Sequence, residues 1–222
     1  MLAVDRLEEV RQGIAVSCQR SGRSPADLRL IAVTKTQDAS VLSALQAAGV
    51  NDFGENRVEH LTGMVAAAAG QGRFHYIGRV QRRQFRRVVP LVESLHSLAE
   101  LHHVDALDRA CAELDRQLSV FVQVNTAGEA QKAGLAPDEV AAMCDACAAA
   151  EHLELVGLMC MAPDLRLPQH TESQVRRCFA ACRALAERHG LARLSMGMSQ
   201  DYQIAIEEGA TDLRVGSVLF RT

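Results

Sequence analysis

Eight short apolar runs alternate with longer segments of helical periodicity along these 222 residues, and this alternation limits the possible folds more than any other feature. The runs are mostly continuous rather than alternating apolar with polar residues, which is typical of parallel strands buried on both faces. The strands are predicted at 28–35, 51–54, 73–78, 92–96, 119–125, 153–161, 192–198 and 212–218. Eight β/α repeats predict a single-domain (β/α)8 barrel of the TIM type over residues 1–222, with a doubly wound open sheet as the alternative.

Helical periodicity fills the segments between these runs. The helices are predicted at 2–21, 39–48, 56–69, 80–89, 98–117, 137–150, 169–189 and 201–208. Because only four residues follow the last predicted strand, the final helix of such a barrel is expected to be missing. The helix at 2–21 precedes the first strand, and we expect it to cover that gap.

Composition excludes several classes of function. The net charge is −3, tryptophan is absent and aromatic residues make up 4%, so neither nucleic acid nor an anionic membrane is an expected partner. No apolar stretch reaches the roughly 20 residues of a membrane span, and a cytoplasmic location is expected. The seven cysteines lie mostly in apolar or helical segments, which favours buried reduced thiols over a metal site or disulfides.

The chain contains 24 lysine and arginine residues, and only Lys35 and Lys132 are lysines. A guanidinium keeps its proton at working pH, so a nucleophilic amine has to be one of these two side chains. Lys35 ends the first predicted strand, where a lysine is placed to form a Schiff base with an aldehyde. The alternative is that the arginine richness reflects genomic base composition and the lysines carry no special chemistry.

Polar residues and glycines gather at the carboxyl ends of the predicted strands, where barrels of this kind place their functional groups. In chain order these are Lys35, Glu55, Asn56, Gly78 to Gln81, His96, Asn125, Met161, Met198, Ser199, Arg214, Gly216 and Ser217. The set is rich in groups that can converge on one ligand.

Ser199, Gly216 and Ser217 predict a phosphate site, because the last strands of such barrels commonly bind phosphate through loop N–H groups and hydroxyls. The alternative is that Ser199 caps the next helix and Gly216 serves packing. Arg214 shares a strand face with Gly216 and is predicted to point into the barrel. There it donates a hydrogen bond to a pyridine nitrogen or forms a salt bridge, for example with Asp212 or Glu55.

Three other features have open interpretations. Asn56 either caps the helix that follows it or contacts a ligand. His75 and His96 on predicted strands are interpreted as core residues with hydrogen-bond partners rather than catalysts. The arginine-rich run at residues 79–87 is a solvated cationic face or a secondary anion site.

Seven motifs, taken together and in their order along the chain, resemble those of a known family. They are Ala32-Val33-Thr34-Lys35-Thr36, Asp52-Phe53-Gly54-Glu55-Asn56-Arg57-Val58, His75-Tyr76-Ile77-Gly78, Gln123-Val124-Asn125, Gly157-Leu158-Met159, Leu194-Ser195-Met196-Gly197-Met198-Ser199 and Arg214-Val215-Gly216-Ser217. With these motifs nearly the whole chain resembles the pyridoxal phosphate homeostasis protein family. The resemblance implies a barrel like the N-terminal domain of alanine racemase, with pyridoxal 5′-phosphate (PLP) held as an internal aldimine on Lys35.

The resemblance also implies roles for individual residues. Ser199, Gly216 and Ser217 would hold the phosphate, with Met198 beside them, while Arg214 would face the pyridine nitrogen and Asn56 would lie near the ring. Lys132 matches a second lysine of the family, one linked with cofactor handling and transfer. The chain departs from the family where Arg83-Gln84 replaces Asn-Lys, and where Phe220 is followed by Arg221 instead of glycine.

The resemblance favours a PLP carrier without established turnover, which lowers free PLP and supplies it transiently to PLP-dependent apoenzymes. A racemase of this fold class needs a second base from another domain, and the chain has no residues left to build one. A monomer is therefore expected. The alternatives are a monomeric racemase-like enzyme with Lys35 as its base, and a Schiff-base aldolase without cofactor.

Overall fold

The computed structural model describes residues 3–128 and 133–220, and its strands form a closed parallel barrel in the order β1 to β8. The last strand pairs with the first, which confirms the predicted barrel over the open sheet. The strands are β1 Arg29–Val33, β2 Asp52–Glu55, β3 Arg73–Tyr76, β4 Ser94–Leu98, β5 Leu118–Gln123, β6 Leu153–Met159, β7 Arg193–Ser195 and β8 Asp212–Val215.

The helices pack outside the barrel, and most follow the predicted segments. They are α1 Ala3–Ser21, α2 Val41–Ala47, α3 Val58–Ala68, α4 Phe85–Val88, α5 Val104–Glu113, α6 Val140–Ala149, α7 Glu172–Arg188, α8 Tyr202–Glu207 and α9 Ser217–Phe220. The predicted helices at 80–89 and 98–117 are broken and shorter. Short 3₁₀ turns flank α4, and β4 continues to Leu98, so α5 begins only after a 3₁₀ turn at Leu101–His103.

The final helix is short but present, so the expectation that it is missing was wrong. Helix α9 begins directly after β8 and occupies one turn. Helix α1 packs against α8 and α9, as expected for a segment that covers this side of the barrel. Its apolar residues recur with the helical period, and Leu7, Val10 and Cys18 are almost fully buried.

The first strand ends two residues before Lys35, earlier than predicted. Thr34 N–H still donates to the Gly54 carbonyl of β2 at 3.1 Å, but Gln37 N–H then donates back to the Thr34 carbonyl at 2.8 Å. This bond closes a turn, so the chain leaves the sheet. Lys35 therefore lies exposed in the turn after β1 rather than within the strand.

The opposite end of the barrel carries charges of alternating sign on five neighbouring strands, which we call the floor ring. Each member is the first residue of its strand, and in barrel order they are Arg193 (β7), Asp212 (β8), Arg29 (β1), Asp52 (β2) and Arg73 (β3). Arg73 binds Asp52 with two hydrogen bonds of 2.9 and 2.7 Å. Arg29 Nε lies 3.6 Å from Asp52 and 3.9 Å from Asp212. The ring thus neutralises two largely buried carboxylates.

The structure reports the state of the cysteines and the lengths of the helices. All seven cysteines are free, and six are buried, which confirms thiols over disulfides. In the described ranges, every helix is too short or too polar to cross a lipid bilayer.

Candidate functional site

A cavity of about 360 Å³ opens at the carboxyl ends of the strands. The structure brings all seven residues predicted to contact a ligand into its lining: Lys35, Asn56, Met198, Ser199, Arg214, Gly216 and Ser217. Sequence reasoning named Gly78 and Met161 only as strand-end residues, and it missed Val33, Ile77, Met159, Arg166 and Gln200, which also line the cavity. Lys132 lies outside the described residues.

The cavity has a strong electrostatic bias. Its described lining contains three cations, Lys35, Arg166 and Arg214, and no carboxylate. The Arg166 charge is partly offset, because its guanidinium donates to Asp164 in the same loop at 2.6 Å. The remaining excess of positive charge favours an anionic ligand.

Arg214 is buried at the bottom of this cavity and is held by two interior hydrogen bonds. Its Nη1 donates to Ser195 Oγ at 2.6 Å and its Nη2 to the Cys160 carbonyl at 3.0 Å. Burial lowers the pKa of Arg214 from its ordinary value, although an arginine keeps its charge in a protein. The alternative of a salt bridge to Asp212 or Glu55 was wrong, since those carboxylates bond to other residues.

Ser199 connects the loop after β7 with the start of α9. Its Oγ accepts the N–H of Gly216 at 3.1 Å and the N–H of Val218 at 3.2 Å. It does not cap α8, whose capping position is Asp201, so that alternative was wrong. A hydroxyl oxygen thus occupies a point where two N–H groups converge, a geometry that suits an anionic oxygen equally well.

Asn56 lies in the cavity wall because a glycine allows the neighbouring loop to approach it. A Cβ atom on Gly78 would lie 2.3 Å from the Asn56 carbonyl oxygen, so no other residue fits there without a shift. Tyr76 Oη donates to the same carbonyl at 3.3 Å. Asn56 does not cap α3, whose capping residue is Arg57. Since Asn56 lies in the cavity wall and does not cap the helix, we interpret it as a residue that contacts the ligand.

A buried carboxylate holds the turn that carries Lys35. Glu55 is fully buried and accepts the Thr34 hydroxyl at 2.5 Å. His60 Nδ1 lies 2.7 Å from the other Glu55 oxygen, and His60 Nε2 lies 3.0 Å from the Gln37 carbonyl. Both partners of the ring are accepting oxygens, so His60 ties the Glu55 carboxylate to the backbone at Gln37. The three side chains fix the turn on both sides of Lys35.

The other sequence candidates lie away from the cavity. His75 and His96 are fully buried in the barrel interior with hydrogen-bond partners, as predicted. In the arginine-rich run, Arg79, Arg86 and Arg87 pair with glutamates, which agrees with a solvated face. One group in the described ranges has metal-ligand spacing, Glu100 with His102 and His103, but Glu100 is already neutralised by Arg79.

Comparison with known proteins gives a consistent result. A family model described as the alanine racemase N-terminal domain matches residues 6–222. The pyridoxal phosphate homeostasis protein of Pseudomonas aeruginosa is 35% identical over 221 residues, which cover 97% of this chain and 94% of that protein. The structure of PipY from Synechococcus elongatus with PLP bound is similar with a TM-score of 0.84 and 30% identity, over 98% of this chain and 99% of that chain.

A more distant likeness concerns the fold alone. Alanine racemase of Clostridium difficile gives a TM-score of 0.77 at 12% identity, over 98% of this chain and 58% of that chain. At this identity the shared barrel says nothing about shared chemistry.

Proposed function

The chain belongs to the pyridoxal phosphate homeostasis protein family, and from this premise we propose that it binds PLP in the strand-end cavity, keeps the free cofactor scarce and passes it to PLP-dependent apoenzymes. One observation carries the proposal. A lysine at the rim of a cation-rich cavity shares that cavity with two serines and a glycine suited to a phosphate. PLP presents an aldehyde and a phosphate, the two groups that this arrangement can receive.

The cavity suits PLP in size and polarity. Its volume of about 360 Å³ falls in the range of small-ligand pockets. Apolar side chains supply walls for a flat aromatic ring, and they are Val33, Ile77, Met159, Met161 and Met198. The donors at Ser199, Gly216 and Ser217 suit a dianionic phosphate, and Asn56 and Arg214 offer polar contacts beside the ring.

Ser199 has the central role at the phosphate end. In the structure its hydroxyl accepts two N–H groups, so a phosphate oxygen can replace it as their acceptor. The freed hydroxyl then turns to donate to the phosphate. Gly216 supports this exchange, because a Cβ atom there would press on the Val33 carbonyl at 3.0 Å and move the loop.

Lys35 supplies the covalent attachment. Its amine would condense with the aldehyde of PLP and release one water. PLP, when bound, supplies an electron-withdrawing pyridine ring to any attached amine. Arg214 would limit that effect, since a buried cation beside the ring disfavours a second positive charge on the ring nitrogen.

The lining also argues for a carrier over an enzyme. A two-base racemisation needs one acid–base group on each face of the substrate carbon. Among the described lining residues, Lys35 is the one side chain that can act as a base, because the others are apolar, amide, hydroxyl or guanidinium groups. Tyr76 is buried against the Asn56 carbonyl instead. We therefore propose binding without sustained turnover.

Titration with PLP and mass spectrometry test the proposal directly. We expect one equivalent of PLP to give a visible absorbance band, and borohydride reduction to fix the added mass on the peptide that contains Lys35. Incubation with L- or D-alanine in deuterated water should then give no more than about one α-deuterium exchange per protein. Many exchanges per protein would establish the racemase-like alternative, and a wild type without the band would reject PLP binding.

His60→Ala should weaken PLP binding without touching the cavity. The change removes one hydrogen bond to a carboxylate and one to the Gln37 carbonyl, so the turn carrying Lys35 loses its support. We expect roughly tenfold weaker affinity, measured by spectral titration, with faster amide hydrogen exchange at residues 35–37. His102→Ala, which changes an exposed histidine in the 3₁₀ turn before α5, is the control, and equal affinities in the two variants would contradict this role.

We further propose that the protein acts as a cytoplasmic monomer. Free, buried cysteines are typical of reducing compartments. The exposed large apolar residues of the described ranges are spread along the chain, with Val4 and Val16 on α1 and the others at Leu101, Leu114 and Leu167. Light scattering tests the monomer. Lys132 remains a candidate for cofactor transfer, tested by the rate at which a Lys132→Ala variant gives up PLP to an apoenzyme.

A further inference from the structure

A row of six polar side chains crosses the barrel interior from the cavity to the floor ring. Its members are Arg214, Ser195, His96, Ser94, His75 and Asp52, and we call it the interior row. After the 2.6 Å bond from Arg214 to Ser195, Ser195 Oγ lies 2.7 Å from His96 Nδ1 and Ser94 Oγ lies 2.8 Å from His96 Nε2. His75 Nδ1 lies 2.7 Å from Ser94 Oγ, and His75 Nε2 lies 3.0 Å from Asp52 Oδ1.

Every member of the interior row is buried. Relative exposures are 5% for Arg214, 7% for Asp52 and at most 1% for the four residues between them. A buried polar group without a partner costs several kcal/mol, so such a row persists only when each hydrogen bond is made. Phe121 stacks on His96 with ring centroids 4.2 Å apart and fixes the plane of that imidazole.

The two ends of the row determine the direction of every bond within it. Arg214 can only donate, so Ser195 accepts from it and turns its own proton to His96 Nδ1. His96 is then protonated on Nε2 and donates to Ser94. Ser94 donates to His75 Nδ1, and His75 Nε2 donates to Asp52, which as a carboxylate only accepts. Both imidazoles are consequently neutral and carry their proton on Nε2.

The surroundings of the row agree with this assignment. Burial, with the nearby Arg214, Arg193 and Arg29, lowers the pKa of His96 well below its ordinary value, so the ring stays neutral. Burial alone would raise the pKa of Asp52, but hydrogen bonds from His75 and Arg73 lower it further than burial raises it, so the carboxylate stays charged. Arg214 therefore always donates at one end of the row, and the Asp52 carboxylate always accepts at the other.

We propose that Ser195, His96, Ser94 and His75 are positioning residues that aim the Arg214 guanidinium at the bound ligand, with Asp52 as their anchor on the opposite face of the barrel. The inference rests on the proposed function, because the ligand it serves is PLP. A guanidinium whose Nη1 is held by Ser195 presents its remaining donors in one direction only. Loss of the Ser94 hydroxyl leaves His96 without one partner and lets Ser195 and Arg214 turn.

The directions of the bonds can be tested without PLP. Nitrogen-15 spectra of the ligand-free full chain report the tautomer of each imidazole. We expect a proton on Nε2 and none on Nδ1 in both His75 and His96 of the folded protein, because the hydrogen bonds of the row require it. A proton on Nδ1 of either ring would overturn the assignment.

Ser94→Ala tests the link to the ligand, since the Ser94 hydroxyl bonds to His75 and His96 and does not line the cavity. We expect roughly tenfold weaker affinity for PLP and a changed nitrogen-15 shift of the pyridine nitrogen in labelled PLP. Loss of stability alone would leave that shift unchanged in the bound fraction. The matched control is Ser17→Ala, which removes a buried α1 hydroxyl without a hydrogen-bond partner in the described ranges.

The outcomes separate the two proposals. If the wild type gives no visible band with PLP, the proposed function fails, and the imidazole spectra still decide whether the row exists. If the wild type binds PLP and Ser94→Ala matches Ser17→Ala in affinity and pyridine shift, the positioning role is rejected and the proposed function stands.

Discussion

Lys35→Ala is expected to abolish the visible absorbance of the PLP-loaded protein and the borohydride-reducible adduct. No arginine can take the place of the lost amine, because a guanidinium does not give up its proton. Lys35 is exposed in a turn, so the free energy of unfolding should change by no more than about 0.5 kcal/mol. Absorbance spectra, intact mass after reduction and urea unfolding measure the three effects.

Lys35→Arg is the matched variant, since it keeps the positive charge in the cavity and removes only the nucleophile. It should bind PLP reversibly without the band. A reducible adduct in Lys35→Ala as strong as in the wild type would show that the assignment is wrong, and peptide mapping would then examine Lys132, the other lysine of the chain.

Asp212→Ala is expected to cost about 3 kcal/mol of folding stability. Asp212 is fully buried and binds Arg193 through two hydrogen bonds, with Arg29 Nε at 3.9 Å. Its removal leaves two cations of the floor ring facing each other without the carboxylate between them. The expected value is at the lower end for a broken buried pair, because Arg29 and Arg193 keep 27% and 29% of their side chains exposed. Chemical unfolding measures it.

Two other variants serve as references for the stability loss of Asp212→Ala. Asp145→Ala removes an exposed aspartate from α6 and should change stability by less than about 0.5 kcal/mol. Asp212→Asn keeps the shape of the side chain and should fall between the two. A loss in Asp212→Ala no larger than in Asp145→Ala would mean that the floor ring contributes nothing to stability.

The barrel was predictable because its strands are short apolar runs with clear breaks between them. Each of the eight runs became a strand, and the ends moved by a few residues where local hydrogen bonds decided them, as at the turn after Val33. Helix α9 was missed because one turn after Ser217 is too short to show a helical period. The breaks around α4 were missed because 3₁₀ turns carry little periodicity.

The strand-end rule found most polar residues of the cavity, since parallel strands of a barrel direct their carboxyl ends to one face. Arg166 and Gln200 escaped it because they lie on loops whose path the sequence does not determine. The interior row could not be predicted from the sequence either. His75 and His96 were recognised as core residues, but their connection through Ser94 depends on the register of β3 with β4, which pairs His75 with Ser94.

The floor ring and the cavity both combine residues of the first strand region with residues of the last. Arg29 on β1 lies between Asp52 on β2 and Asp212 on β8, and the cavity joins Lys35 after β1 with Ser217 after β8. During synthesis, the amine emerges almost the entire chain ahead of the serine that completes its pocket. The proposed PLP site is therefore complete only after β8 has been synthesised and has paired with β1.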